Sequence, residues 1–265
     1  MPYPNQITAA QLMRLIGTSD APAIYDVRVP DDIAADPRCI PAAIQRPHGA
    51  FVQCPQHAGR AVVVCHKGRK LSEGVAALLR CHGIAAEVLQ GGHVAWAEAG
   101  LPLVPLKAAA QSALWVTRQR PKIDRIACPW LIRRFVQPSA RFLFVAPAEV
   151  MEVADKFAAT PFDIDGVAFS HEGDLCSFDV MLRDFGLQTP PLLRMAEVVR
   201  AADTNRHDLA PQAAGLLAIS VGLSRQFRDD LAQLEAGMAI YDALYRWARD
   251  GLDESHDWTP SHGPI

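Results

Sequence analysis

The residues best placed to do chemistry lie in one short stretch. Val62, Val63 and Val64 form a β-branched apolar run that stops at Cys65. His66, Lys67, Gly68, Arg69 and Lys70 follow, and a helical pattern starts at Leu71 with Val75, Leu78 and Leu79. A thiol there sits at the C-terminal edge of a buried strand, just before a helix N-terminus. Backbone amides that turn inward in such a loop form an anion-binding nest, and the helix end adds partial positive charge. The cationic side chains act in the same direction, so the loop favours thiolate over thiol. The plainer alternative is a buried, inert cysteine at a strand end.

Two further clusters carry polar chemistry without naming a reaction. Arg118, Arg120, Lys122 and Arg125 surround Asp124 at a strand-to-helix junction, where Asp124 is either a helix cap or part of a site. His171, Glu172, Asp174, Cys176 and Asp179 put imidazole, thiol and carboxylates within nine residues, and Asp203 to Asp208 forms another polar knot. Such ligands can converge on a metal ion, but no pair has a diagnostic spacing, and capping or hydrogen bonding is the plainer account.

The elements that must position these groups follow from pattern. Thr8 caps a helix running through Ile16, and Ala23 to Val27 reads as a strand. Further strands are expected at Trp115–Arg118, Arg141–Val145 and Val167–His171. Helices are expected at Asp124–Val136 (with Pro129 inside), Glu149–Phe157, Leu192–Ala202, Pro211–Leu223 and Asp229–Arg249. The chain of 265 residues is 50% hydrophobic and 21% charged, with a net charge of −3. Those values suit two ordinary globular domains and suggest neither nucleic acid nor an anionic membrane as partner. Six cysteines without paired spacing fit reduced thiols. With no signal-like or membrane-spanning apolar run, the chain reads as cytoplasmic.

Asp26-Val27-Arg28, the Cys65 loop, Leu89-Gln90-Gly91-Gly92-His93-Val94-Ala95-Trp96 and Ala99-Gly100-Leu101-Pro102-Leu103 together resemble a single-domain rhodanese over about Ile7 to Val104. The resemblance implies a three-layer α/β fold with a central parallel sheet and a sulfurtransferase that relays sulfane sulfur through a Cys65 persulfide. Cys65, Arg69 and Lys70 would be catalytic. His66, Lys67, Gly68, Asp26 and Arg28 would form the donor-binding loop, and no cofactor would be required. The donor would be a small anion such as thiosulfate, and the acceptor a thiol or other thiophile. Two departures stand out. Lys70 replaces the usual arginine, and an ammonium cannot clamp two oxygens as a planar guanidinium does. Arg38-Cys39-Ile40-Pro41-Ala42-Ala43 replaces the usual Gly-His-Ile-Pro-Gly-Ala, so Cys39 is either a resolving thiol or a small core residue.

The second half resembles the C-terminal domain of the chromate-resistance protein ChrB from about Leu114 to Asp250. The shared words are Trp115-Val116-Thr117-Arg118, Pro121 to Phe135, His171 to Asp179, Ala202-Asp203-Thr204 and Asp208 to Ser220. It implies a role in the response to chromate but carries no catalytic mechanism, and it leads to an expected mostly helical α+β domain. The division expected is 1–106 for the first domain, 107–113 for a linker, 114–250 for the second domain and 251–265 for a tail. Chromate is a tetrahedral dianion close in shape to thiosulfate, so a nest for one can admit the other. Asp124, Arg125, His171, Cys176 and Asp203 are the candidate residues for a metal ion or oxyanion. The alternative function is a non-catalytic chromate or metal sensor in which the Cys65 loop only binds anions.

Overall fold

Alternation of large apolar residues along short runs builds the first sheet. The computed structural model describes residues 5–52, 59–109 and 113–254. Five strands, β1 (Gln6–Ile7), β2 (Ala23–Asp26), β4 (Ala43–Gln45), β5 (Arg60–Val64) and β6 (Ala85–Leu89), lie in the order β1-β6-β5-β2-β4, all pairs parallel. Two-residue β3 (Arg38–Cys39) pairs antiparallel with β7 (Val104–Pro105) beside it. Because successive side chains of a strand point to opposite faces, Ile24, Val62 and Val64 join one hydrophobic cluster while Tyr25, Ala61 and Val63 join another. Helix α3 (Lys70–Cys81) covers the second face through Val75, Ala76 and Leu79. On the first face lie α1 (Ala9–Leu15), with Leu12, and α4 (Gly92–Glu98), with Trp96. Thr8 caps α1, as its position before the apolar run predicts, and the structure adds a capping box with Gln11. Helix α2 (Pro30–Ala35) follows β2.

The second half is built on a smaller parallel sheet, β10-β8-β9, of β8 (Leu114–Arg118), β9 (Arg141–Val145) and β10 (Thr160–Pro161). Helices α6 (Asp124–Leu131), α7 (Val150–Phe157), α8 (Ser177–Asp184), α9 (Pro190–Asp203), α10 (Ala213–Gln226) and α11 (Asp230–Asp250) make up most of the rest. The expected α/β sheet followed by a mostly helical region is what the structure shows. Pro129 does not end its helix; the chain runs through it and finishes in a π-helical turn, Ile132–Val136. The strand expected at Val167–His171 is absent. Phe169 makes only an isolated bridge with Phe162, and the third strand forms earlier, at Thr160–Pro161. The apolar run misled because Phe169 is buried by packing on Trp115 and Phe185, not by a sheet ladder.

The expected linker begins inside a helical turn, α5 (Leu106–Ala109), whose Ala108 is buried. Residues 110–112, the tail beyond Glu254 and Cys54 lie outside the described residues. The largest hydrophobic cluster runs through both halves, from Leu12, Ile16 and Ile24 to Trp115, Phe135 and Tyr245. Gly17, at φ +81°, makes the approach possible, since a Cβ there would lie 2.3 Å from Cζ of Phe135 and 2.8 Å from Tyr245. Across the same seam Ala42 N donates to Phe135 O at 2.6 Å, and Arg249 Nη1 donates to Arg14 O at 2.8 Å.

Ala42 stands where the resembling family has glycine, and its φ is +63°. A Cβ in that region costs roughly 1 kcal/mol. Ala42→Gly is therefore expected to raise stability by about 0.5–1 kcal/mol, measured as the midpoint of urea unfolding. An unchanged or lower midpoint would mean that the buried methyl contributes more than the backbone strain costs. Cys39 is 1% exposed in β3, and burial pushes its thiol up to about 12. It sits as a core residue, in a setting that disfavours the thiolate a resolving thiol needs.

Candidate functional site

Cys65 directly follows β5 and is 5% exposed. The carbonyls of the loop are drawn away from the sulfur: Cys65 O accepts from His93 N and His66 O from Val94 N, both at 3.0 Å. These donors belong to the first turn of α4. The Gly91-Gly92 turn approaches so closely that a Cβ on Gly92 would lie 2.3 Å from Cys65 O and 2.4 Å from Gly68 N. With the carbonyls held outward, the Arg69 amide points inward and donates to Cys65 Sγ at 3.3 Å. Helix α3 starts at Lys70, so its positive end lies beside the sulfur. His66 is half-buried, with Nδ1 3.9 Å from Asp32 Oδ1, whereas Lys67, Arg69 and Lys70 are exposed at the rim.

The spacing did not reveal Ser72. It is fully buried on the first turn of α3, with Oγ 3.1 Å from Cys65 Sγ, and it donates to Arg69 O at 2.9 Å. A small polar residue one turn into the helix after the cysteine was the available signal. Asp26 and Arg28, expected in the donor-binding loop, are used elsewhere. Their side chains are 2% and 0% exposed and pair at 2.7 Å, and Arg28 also donates to Asp36 O and Arg38 O. Four of the five N–H donors of that guanidinium are engaged and the side chain is out of solvent, so the pair braces the loop after β2 rather than facing a donor anion.

The second cluster gathers four segments of the chain. Asp124 begins α6, Asp163 follows β10, His171 precedes α8 and Asp203 ends α9. His171 Nε2 lies 3.5 Å from Asp124 Oδ2, 3.5 Å from Asp163 Oδ1 and 3.2 Å from Asp203 Oδ2. Ser177 N donates to Asp124 Oδ2 at 2.7 Å, and Ser177 Oγ donates to Asp163 Oδ1 at 2.9 Å. Arg118 and Arg125 approach Asp163 Oδ2 at 3.2 and 3.4 Å. Asp163 was missed, because only its convergence with distant residues marks it. Its φ of +52° in the turn after β10 is invisible in the sequence.

Strain accompanies the placement of Asp124. Ile123 has φ +43°, rare for a β-branched residue. Helices α10 and α11 hold it there: Ser220 Oγ accepts from Ile123 N at 3.1 Å, and Tyr241 OH donates to Ile123 O at 2.9 Å.

His171 is pushed up to about 9 by its contact with Asp163 and, against the cost of burial, by the Asp124 and Asp203 charges. Burial pushes the Asp124 carboxyl well above the usual range, with the Asp203 and Asp163 charges adding to it. Burial and the Asp163 charge also raise Asp203. Burial works against Asp163 as well, but contacts from His171 and Ser177 and the Arg125 and Arg118 charges hold it below its ordinary value.

Cys176, expected among these ligands, has another role. It is the N-cap of α8, fully buried, and its Sγ donates to Asp179 Oδ2 at 3.2 Å while its amide donates to the same oxygen at 3.1 Å. Burial, then the Asp124 and Asp179 charges, pushes its thiol well above the ordinary value, which disfavours the thiolate a metal needs. Arg200 Nη1 secures Asp179 at 2.7 Å.

Residues 115–248 match the family model described as ChrB, C-terminal domain. Protein ChrB of Cupriavidus metallidurans is 38% identical over 136 residues, which are 51% of this chain and 40% of that protein. The chain thus spans well under half the length of that relative. A rhodanese-related protein from Thermoplasma volcanium is 24% identical and covers 38% of this chain and 97% of its own, with a TM-score of 0.33. A thiosulfate sulfurtransferase from Pseudomonas aeruginosa is 26% identical and covers 38% of this chain and 19% of its own, with a TM-score of 0.32.

Proposed function

The chain belongs to the family described as ChrB, C-terminal domain, and on that premise we propose that it is a sulfurtransferase acting in the response to chromate. Sulfane sulfur moves through a persulfide on Cys65. The observation that carries this reading is the sulfur's setting: Cys65 Sγ at the start of α3, accepting from the Arg69 amide, with the loop carbonyls tied back to α4. That arrangement stabilises negative charge on the sulfur and on a small anion brought to it.

With thiosulfate as donor, the Cys65 thiolate attacks the outer sulfur. A sulfur–sulfur bond to Cys65 forms, the bond to the sulfonate sulfur breaks, and sulfite leaves with that electron pair. A thiolate or cyanide acceptor then attacks the terminal sulfur and releases Cys65 as thiolate. Inward-facing amides of the loop hold the anionic groups, Lys67, Arg69 and Lys70 draw the donor in from the rim, and Ser72 orients Sγ. The transfer uses no cofactor. The chromate part of the proposal rests on the family and on the likeness of the two oxyanions. The reduced thiols this chemistry needs fit a cytoplasmic setting, and no helix among the described residues is long and apolar enough to cross a membrane.

Intact mass of the full chain after thiosulfate alone, beside Cys65→Ala, tests the relay. Wild type is expected to gain the mass of one sulfur atom and to turn over thiosulfate and cyanide, while Cys65→Ala does neither. Anion binding by wild type with no sulfur gained and no turnover would overturn the reading and leave the loop as a sensor of oxyanions.

A further inference from the structure

The cluster around His171 has no part in the sulfur relay, yet it has the donors, spacing and support of an inorganic site. We propose that Asp124, Asp163 and His171, with Asp203 beside them, bind one divalent first-row transition cation of oxygen and nitrogen preference, of the manganese(II) or cobalt(II) kind.

Geometry comes first. Asp124, Asp163 and His171 each offer a ligand atom, and these atoms lie within 4.8 Å of one another. His171 Nε2 is 3.2–3.5 Å from an oxygen of each of three carboxylates. Donors about 2.1 Å from a shared cation are roughly 3.0–3.4 Å apart, so little movement would bring these onto one ion.

A second observation is independent of the clustering. Asp124 is fully buried, and its Oδ1 has no hydrogen-bond partner among the described residues. A buried carboxylate oxygen without a donor is costly and rare in native proteins. Its other oxygen is both the one held by the Ser177 amide and the one facing His171. A cation among these groups would supply the missing counter-charge.

Supporting contacts are those that orient ligands. Ser177 Oγ fixes Asp163 Oδ1, the oxygen that faces His171, while Arg118 and Arg125 draw the other oxygen the opposite way. Strained Ile123, pinned by α10 and α11, fixes the backbone on which Asp124 stands. The donor set itself selects the metal class. Carboxylates with one imidazole suit manganese, iron, cobalt or zinc, whereas a soft cation would want thiolate. Cys176 is committed to Asp179 and offers none. His171 is 41% exposed at its side chain and Asp203 21%, so the cluster opens to solvent on that side and a cation can enter there.

The competing arrangement is a closed ion network in which a His171 imidazolium satisfies the carboxylates without metal. The two differ in uptake and in the sign of one mutational effect. Full-length protein stripped with chelator is titrated with Mn2+, followed by electron paramagnetic resonance of the free ion, and with Co2+, followed by visible absorption. One equivalent per chain is expected, with at least a tenfold loss of affinity in His171→Ala and in Asp163→Asn. Cys65→Ala is expected to keep the full equivalent, which separates this site from the sulfur relay.

Melting temperature provides the second readout, since Asp124→Asn risks misfolding. Mn2+ is expected to raise the melting temperature of wild type and leave that of Asp203→Asn nearly unmoved. Without metal, Asp203→Asn is expected to melt at or above wild type, because it thins a crowd of carboxylates. Failure of wild type to take up either cation would overturn the site. So would equal uptake by His171→Ala and Asp163→Asn, or destabilisation of metal-free Asp203→Asn with no metal effect on wild type.

Discussion

Gly92→Ala is expected to lower thiosulfate-to-cyanide transfer by about 100-fold or more while leaving the chain folded. Gly92 sits at φ +63°, where an L side chain costs roughly 1 kcal/mol before any contact is counted. The contacts are the larger effect. The new Cβ would stand 2.3 Å from Cys65 O, 2.4 Å from Gly68 N and 2.8 Å from His66 O, all backbone atoms with no rotamer to escape into. Either the loop or the start of α4 must shift, and with it the bonds from His93 N and Val94 N that turn the loop carbonyls outward. A displacement of about 1 Å at a reacting centre is enough to cost two orders of magnitude. Specific activity measured with a thermal melt of the same preparation checks this. Transfer within threefold of wild type in a folded variant would show that the α4 clamp does not shape the loop.

Arg28→Ala is expected to destabilise the chain by roughly 3–5 kcal/mol, because it leaves Asp26 as a buried charge without its partner. Both side chains are out of solvent, and two carbonyls, Asp36 O and Arg38 O, lose their donors as well. Urea unfolding gives the magnitude. Replacing both partners together, Asp26→Leu with Arg28→Met, is expected to recover part of the loss, since the desolvation of two charges disappears with them. The outcome that would restore the donor-binding role is an Arg28→Ala protein of unchanged stability whose transfer rate collapses.

What could be read in the sequence was what lies close together along it. The Cys65 loop is five consecutive residues, Cys65 to Arg69, between a strand and a helix, so its type and order already fixed where the amides and the thiol would meet. The same holds for Thr8 as a helix cap; its box with Gln11 was not read there. Asp26 and Arg28 were in the right place but misjudged in role, because burial depends on what packs over the loop. The second cluster was half legible. Asp124, His171 and Asp203 stand out as polar residues among apolar helices, but Asp163 and Ser177 acquire meaning only once β10, α8 and α9 converge. Cys176 looked like a ligand from its neighbours His171 and Asp179; its extended backbone and buried thiol make it a cap. Val167–His171 failed for a related reason, as an apolar run can be buried by aromatic packing without a ladder.

The continuous core also bears on how such a chain can be inherited and engineered. Gly17 from the first half lies against Phe135 and Tyr245 from the second, in a hydrophobic cluster that also takes in Ile16. Cutting between the halves would leave both cut faces greasy, so the pair does not behave as interchangeable cassettes. Grafting a different first half onto the same partner would require recutting Gly17, Ala42 and the ring cluster together. A chain with this seam is in effect a single unit, whose two halves must persist or be lost together.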